Sequence, residues 1–147
     1  MSKKLQLKIV TPEKLILEEL VDQVTLPTTE GEITILPDHI PLISALSAGD
    51  IVAVKDGEHI PMAVVGGFLE LKKENNITTL IILADFAEHV STITDIEIEK
   101  AKALAAELKR RSENNEIVDF EHFETELERS LTRVKIADKW RSKKYRK

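Results

Sequence analysis

The sequence predicts an all-β amino-terminal domain, a sandwich or barrel of many short strands, followed by an antiparallel two-helix hairpin. Three observations carry this. Turn signals recur about every eight to twelve residues up to residue 92. Apolar and polar residues between them largely alternate, the period of a half-buried strand. Near residue 94 the period lengthens to three and four and holds almost to the end. The domains are accordingly set at 1–92 and 93–147.

Each strand has a local reason. Leu5, Leu7 and Ile9 alternate with Gln6 and Lys8. Val21 to Leu26 is rich in β-formers and ends at Pro27. Ile33 and Ile35 alternate after the turn residue Gly31. Pro37 and Pro41 bracket Asp38-His39 and stop regular pairing, which makes a rigid, exposed loop carrying an acid and a histidine. Asp50 to Lys55 runs into Asp56-Gly57, a two-residue hairpin signal, and His59 to Val65 returns from it. Gly66-Gly67 breaks the run before Phe68 to Leu71. Such a pair marks a bulge or a close backbone approach rather than a phosphate cradle. Glu74-Asn75-Asn76 is another turn, and Ile77 to Ala84 is a continuous apolar strand.

The helices follow. Thr94-Asp95-Ile96-Glu97 has the spacing of a capping box. Ala101, Leu104, Ala105 and Leu108 form one stripe, and the helix should end near Ser112 to Asn115. Asp119 suits a second N-cap. Phe120, Phe123, Leu127, Leu131 and Val134 then recur at helical steps, to about Lys139 or beyond. A hairpin with two narrow stripes cannot build a good core by itself. It must dock on the β domain, on a partner, or on each in turn.

Charge sharpens the choice of partner. The formal net charge of −5 argues against a general nucleic-acid binder. Asp119, Glu121, Glu124, Glu126 and Glu128 open the second helix. Arg129, Arg133, Lys135, Lys139, Arg141, Lys143, Lys144, Arg146 and Lys147 close it, with Asp138 the one acid among them. The helix dipole accounts for the first and last turns, at about 0.3–1 kcal/mol each. A longer cationic run repels itself unless it meets an anionic surface: acidic protein, nucleic acid or lipid. A solvated tail is the other reading.

Other classes fall away. Apolar residues make up 42% of 147, enough for a packed core. No window has the roughly 18–20 consecutive apolar residues of a membrane span. The amino terminus lacks the apolar region of a secretory signal, so the chain is expected to stay where it is made. The Asn76-Ile77-Thr78 acceptor pattern then means nothing. Without cysteine there are no disulfides, thiolate nucleophiles or cysteine zinc sites. His39, His59, His89 and His122 have no metal-ligand spacing, and no nucleophile elbow occurs. Asp85 and Glu88 could pair as carboxylates but read as solvated turn residues. Aromatics at 4% are too few for a base-stacking platform. The chain reads as a non-enzyme, with no catalytic or metal site.

The stretch Gly31-Glu32-Ile33-Thr34-Ile35-Leu36-Pro37-Asp38-His39-Ile40-Pro41-Leu42 closely resembles the signature of the epsilon subunit of bacterial F-type rotary ATP synthases, Gly-Glu-x-Gly-Ile-Leu-Pro-Gly-His-x-Pro-Leu. Thr34 and Asp38 stand where that pattern has glycine. Ile9 to Glu13, Gly66 to Leu71 and Leu83 to Glu88 resemble further family segments in order. The resemblance implies a ten-stranded β-sandwich followed by two helices. It implies a non-catalytic central-stalk subunit that couples gamma to the membrane c-ring during proton-driven ATP synthesis. Glu32, Asp38 and His39 would lie at the c-ring and gamma interface. The hairpin would inhibit ATP hydrolysis, with Arg129, Arg133, Lys135 and Lys139 meeting an acidic surface on the beta subunits of the catalytic head. The location implied is the cytoplasmic face of the bacterial plasma membrane, peripheral and through the complex, without nucleic acid.

Some members of that family bind ATP through Ile/Leu-Asp-x-x-Arg-Ala. Ile96-Glu97-Ile98-Glu99-Lys100-Ala101 keeps the charge types, with glutamate for aspartate and lysine for arginine. Lysine lacks arginine's bidentate fork. Glu97, Lys100, Arg129 and Arg133 are the candidate nucleotide residues, and no other cofactor is expected. The competing reading is a stand-alone module that sets the cationic helix on nucleic acid or anionic membrane.

Overall fold

The computed structural model describes residues 3–114 and 120–144, and the chain divides into two units, Met1–His89 and Val90–Lys147. The first unit contains β1 (Leu5–Val10), β2 (Leu15–Val21), β3 (Gln23–Thr28), β4 (Gly31–Ile35), β5 (Leu42–Leu46), β6 (Gly49–Lys55), β7 (Glu58–Glu74) and β8 (Ile77–His89). The two long strands explain why eight elements do the work of the ten expected. Residues 67–74 of β7 pair with β5 and with the first part of β8, which continues to β1 and β2. Residues 58–64 of β7 pair with β6, which continues to β3 and β4, and residues 62–65 also pair with the last part of β8. Each long strand therefore serves two layers. All pairings are antiparallel except β1 with β8. Leu5, Leu7, Ile9, Leu69, Leu71, Leu80 and Ile82 from one layer share a core with Val24, Leu26, Ile35, Ile51, Met62 and Val64 from the other.

Gly66-Gly67 is where β7 changes layers. The inward residues are Met62 and Val64 before the pair and Leu69 and Leu71 after it, so the parity of the strand switches. Both glycines have left-handed backbone, φ +67° and +120°. At Gly67 a Cβ would sit 2.2 Å from the Leu83 carbonyl oxygen and 2.8 Å from Ala84 Cα. The expected close approach is thus present, inside one continuous strand rather than between two.

The hairpin turns form as expected. Asp56-Gly57 and Asn75-Asn76 both have positive φ at both central positions, the mirror-image geometry that matches strand twist. Other elements differ from expectation. The break falls at Asp22, whose N–H donates to the Val54 carbonyl at 2.7 Å. Val21 therefore ends β2, and β3 runs on through Pro27. Proline is tolerated there because β6 pairs with β3 only as far as Thr25 and β5 only at Thr28. Asp85 and Glu88 are not turn residues, because β8 continues through them to His89 against β7.

In the second unit, a 3₁₀ turn at Val90–Thr92 precedes α1 (Asp95–Glu113) and α2 (Phe120–Lys144). The capping box is made: the Thr94 N–H donates to Glu97 Oε2 at 2.8 Å, and the Glu97 N–H to Thr94 Oγ1 at 3.2 Å. Ile98, Ala101, Ala105, Leu108 and Phe123 are buried as an amphipathic pattern requires. The α2 stripe is rotated from expectation. Leu131 is 52% exposed, while Ser130, Thr132, Ile136 and Ala137 are buried. Leu104 is also exposed. Small side chains supply much of the buried surface, with Ala137 packed against Ile93 and Ile98, so leucine spacing misjudges the face. Asn115, the cap candidate Asp119, Arg146 and Lys147 lie outside the described residues, as do the side chains of Phe120, Glu121, Lys143 and Lys144.

Candidate interaction surfaces

The loop after β4 is built on a tight turn. The His39 N–H donates to the Leu36 carbonyl at 3.2 Å, with Pro37 second and Asp38 third. Asp38 has φ +69°, the left-handed position that a turn of this kind ordinarily gives to glycine or asparagine. Its N–H donates to the hydroxyl of Thr78 at 2.9 Å. Its two carboxylate oxygens each lie 2.9 Å from an ammonium, Lys3 on one and Lys73 on the other. Hydrogen bonds from Lys3, then Lys73, hold this carboxyl below the ordinary range. His39 Nδ1 donates to the Ile40 carbonyl at 2.7 Å. Asp38 and His39 are thus together in one fixed turn. Glu32 is exposed near the other end of β4, outside that turn.

One surface was not foreseen from the sequence. Register aligns Ala45 of β5, Phe68 of β7, Leu83 of β8, Val10 of β1 and Leu15 of β2 in one row on the outer face of the sheet. Phe68 is 61% exposed, Leu83 58% and Leu15 50%. A continuous apolar row of this kind marks a docking face. Its signal was present in the sequence: Ile77 to Ala84 is apolar at almost every position, as in a strand covered on both sides.

On the hairpin, the four predicted cations are not alike. Arg133 lies 3.8 Å from Glu97 of α1. Asp95 pairs with Arg141, and Lys102 with Asp138 at 3.9 Å, so ion pairs run along the helix–helix seam. Lys135 and Lys139 are exposed, with the Lys139 ammonium 5.8 Å from the Trp140 ring centre, and Arg129 is half-buried. Glu97 carries two duties, cap and ion partner, and the Thr94 hydrogen bonds followed by Arg133 and Lys100 hold its carboxyl low. Lys100 borders a shallow trough of about 420 Å³ with Ile96 and Ala103, to which Arg129 and Arg133 do not contribute. Among the described residues, no cluster of histidines and carboxylates could hold a metal, and no helix is long and apolar enough to cross a membrane.

A sandwich with an uncovered apolar row and a pinned loop, joined to a cation-bearing hairpin, defines a class: a docking subunit of a larger assembly. Residues 4–90 match the family described as ATP synthase, delta/epsilon chain, beta-sandwich domain. The ATP synthase epsilon chain of Desulforamulus reducens is 38% identical over 94% of this chain and all of its own length. That of Herpetosiphon aurantiacus is 38% identical over 90% and 93%. A chain in the cryo-electron microscopy structure of the Euglena gracilis mitochondrial ATP synthase with its c-ring shares the fold, at TM-score 0.64 and 19% identity, over 97% of this chain and 82% of that one. The chain belongs to the ATP synthase epsilon-chain family.

Proposed function

We propose that this chain is a rotor subunit of the central stalk. It joins gamma to the c-ring, turns with them during proton-driven ATP synthesis, and performs no chemistry itself. The observation that carries this is the row Ala45, Phe68, Leu83, Val10 and Leu15, exposed at Phe68, Leu83 and Leu15 and half-buried at Ala45 and Val10, an apolar face outside the main core. Gamma covers that face in this reading, and the Asp38-His39 turn and Glu32 provide separate contacts to the stalk and ring. The protein sits peripherally on the cytoplasmic side of the bacterial membrane, held there by the complex. Family membership leaves no support for a free nucleic-acid or membrane module.

The hairpin acts as a brake on ATP-driven rotation. Extended beside gamma, α2 brings Arg129, Arg133, Lys135 and Lys139 to an acidic surface of the beta subunits. In the closed hairpin Arg133 is held by Glu97, so extension exchanges one carboxylate partner for another, and a few kcal/mol between the states suffices to switch them. Replacing Lys135 and Lys139 by alanine should relieve inhibition of ATP hydrolysis by about two- to tenfold, since each lost surface ion pair weakens the inhibited state modestly. The relief should shrink as salt rises. Unchanged hydrolysis in the double variant would remove these two residues from the brake.

No cofactor is needed for either role. If nucleotide regulates the hairpin, Glu97, Lys100, Arg129 and Arg133 are its residues. Calorimetric titration of the chain with ATP and magnesium should give no heat at submicromolar levels, because Glu97 is already committed to Thr94 and Arg133. A saturable signal abolished by Arg133→Ala would reverse that expectation.

A further inference from the structure

The Leu36–His39 turn has an aspartate in the position that glycine occupies most easily. Aspartate tolerates left-handed backbone better than most residues, but glycine does so at no steric cost. The substitution therefore needs a return elsewhere. The Thr78 hydroxyl receives the backbone N–H of residue 38, which any amino acid other than proline supplies, so that bond does not require aspartate. What aspartate alone adds is a carboxylate reaching two lysines from different parts of the chain. Lys3 precedes β1 and Lys73 lies near the end of β7. The turn is thereby tied at three points around residue 38. The next two residues form its tip: the His39 ring is fixed to the Ile40 carbonyl, and the Ile40 side chain is 75% exposed.

We propose that Asp38 is a positioning residue, tying the turn to Lys3 and Lys73 so that His39 and Ile40 meet the rotor surface in one fixed orientation. This rests on the rotor reading above. A tip ordered in advance loses less freedom on docking, so tethering strengthens binding without touching the partner. Exposed ion pairs add little to folding stability, which separates the two roles experimentally.

The test uses the full chain and synthase stripped of this subunit. Asp38→Gly keeps the turn and removes the tether. Its thermal midpoint should equal or exceed that of the native chain, while its affinity for the stripped synthase at low salt falls by about fivefold, the scale of two screened pairs. Asp38→Asn, which keeps left-handed tolerance without the charge, should bind like the glycine variant. Raising salt should bring native and variant affinities together. Lys73→Met should weaken binding in the native background and add nothing in the Asp38→Gly background. Equal affinity of native and glycine variants at low salt would overturn the proposal, as would an undiminished effect of Lys73→Met in the glycine background. A lowered midpoint with unchanged affinity would also overturn it, leaving the tether merely structural. Failure of the native chain to bind stripped synthase would instead sink the rotor reading.

Discussion

Ending the chain at Thr92 should raise ATP hydrolysis by the assembled synthase while ATP synthesis stays coupled to proton flow. The reason lies in how the two units are built. Every residue of the main core falls between Leu5 and Ala87, so removing the helices deletes nothing from it. The outer apolar row and the pinned loop also lie wholly within the retained part. The shortened chain should therefore fold, assemble and transmit torque. It loses α2 and with it every cation assigned to the brake. If the intact hairpin holds nine complexes in ten stopped, hydrolysis rises about tenfold, equivalent to roughly 1.4 kcal/mol of bias between the two states. Steady-state hydrolysis and proton pumping in membranes carrying the shortened chain measure both halves of this result. Hydrolysis at the native rate would mean the hairpin is no brake. Loss of assembly would mean the hairpin carries stalk contacts assigned here to the sandwich.

Gly67→Ala should be the most damaging single substitution in the first unit. An alanine Cβ there meets the Leu83 carbonyl oxygen at 2.2 Å and Ala84 Cα at 2.8 Å, both main-chain atoms of the paired strand. Neither can move without opening the β7–β8 ladder that links the two layers. Left-handed strain adds to the overlap, and together they should cost about 4 kcal/mol or more. For a unit of this size the thermal midpoint should fall by more than about 15 °C, if the protein folds at all. Gly57→Ala is the control. It has positive φ as well, but nothing lies within 4 Å of its added carbon, so it should cost only about 1 kcal/mol. Equal losses from the two substitutions, read by thermal melting, would show that backbone angle rather than close approach governs Gly67.

Local signals explain which elements could be read in advance. Alternation in β1, the Asp56-Gly57 and Asn75-Asn76 turns, and the Thr94/Glu97 capping box depend on neighbours within a few residues, and all are present. Two strands were missed. Leu15-Ile16-Leu17-Glu18-Glu19-Leu20-Val21 has no clean alternation, and Leu42 to Leu46 includes serine and alanine, which favour no strand. Both are strands because β1 and β7 offer them an edge. The helix stripe was misjudged at Leu131 because buried Ser130 and Ala137 carry no hydrophobic signal of their own.

The same division runs through the sites. The motif around Asp38 and His39 was legible, and so was the cationic bias of α2. That Asp38 meets Lys3 and Lys73, that Glu32 stands at the far end of β4, and that five residues from five strands make one apolar row were not. Sequence by itself determined strand-then-helix order, the Asp56-Gly57 and Asn75-Asn76 turns, the Thr94/Glu97 cap and the family, because each rests on short-range sterics or on residues in fixed succession. Only the tertiary structure decided register, and register alone brings residues as distant as Leu15 and Leu83 onto one face, through pairings that no local pattern encodes.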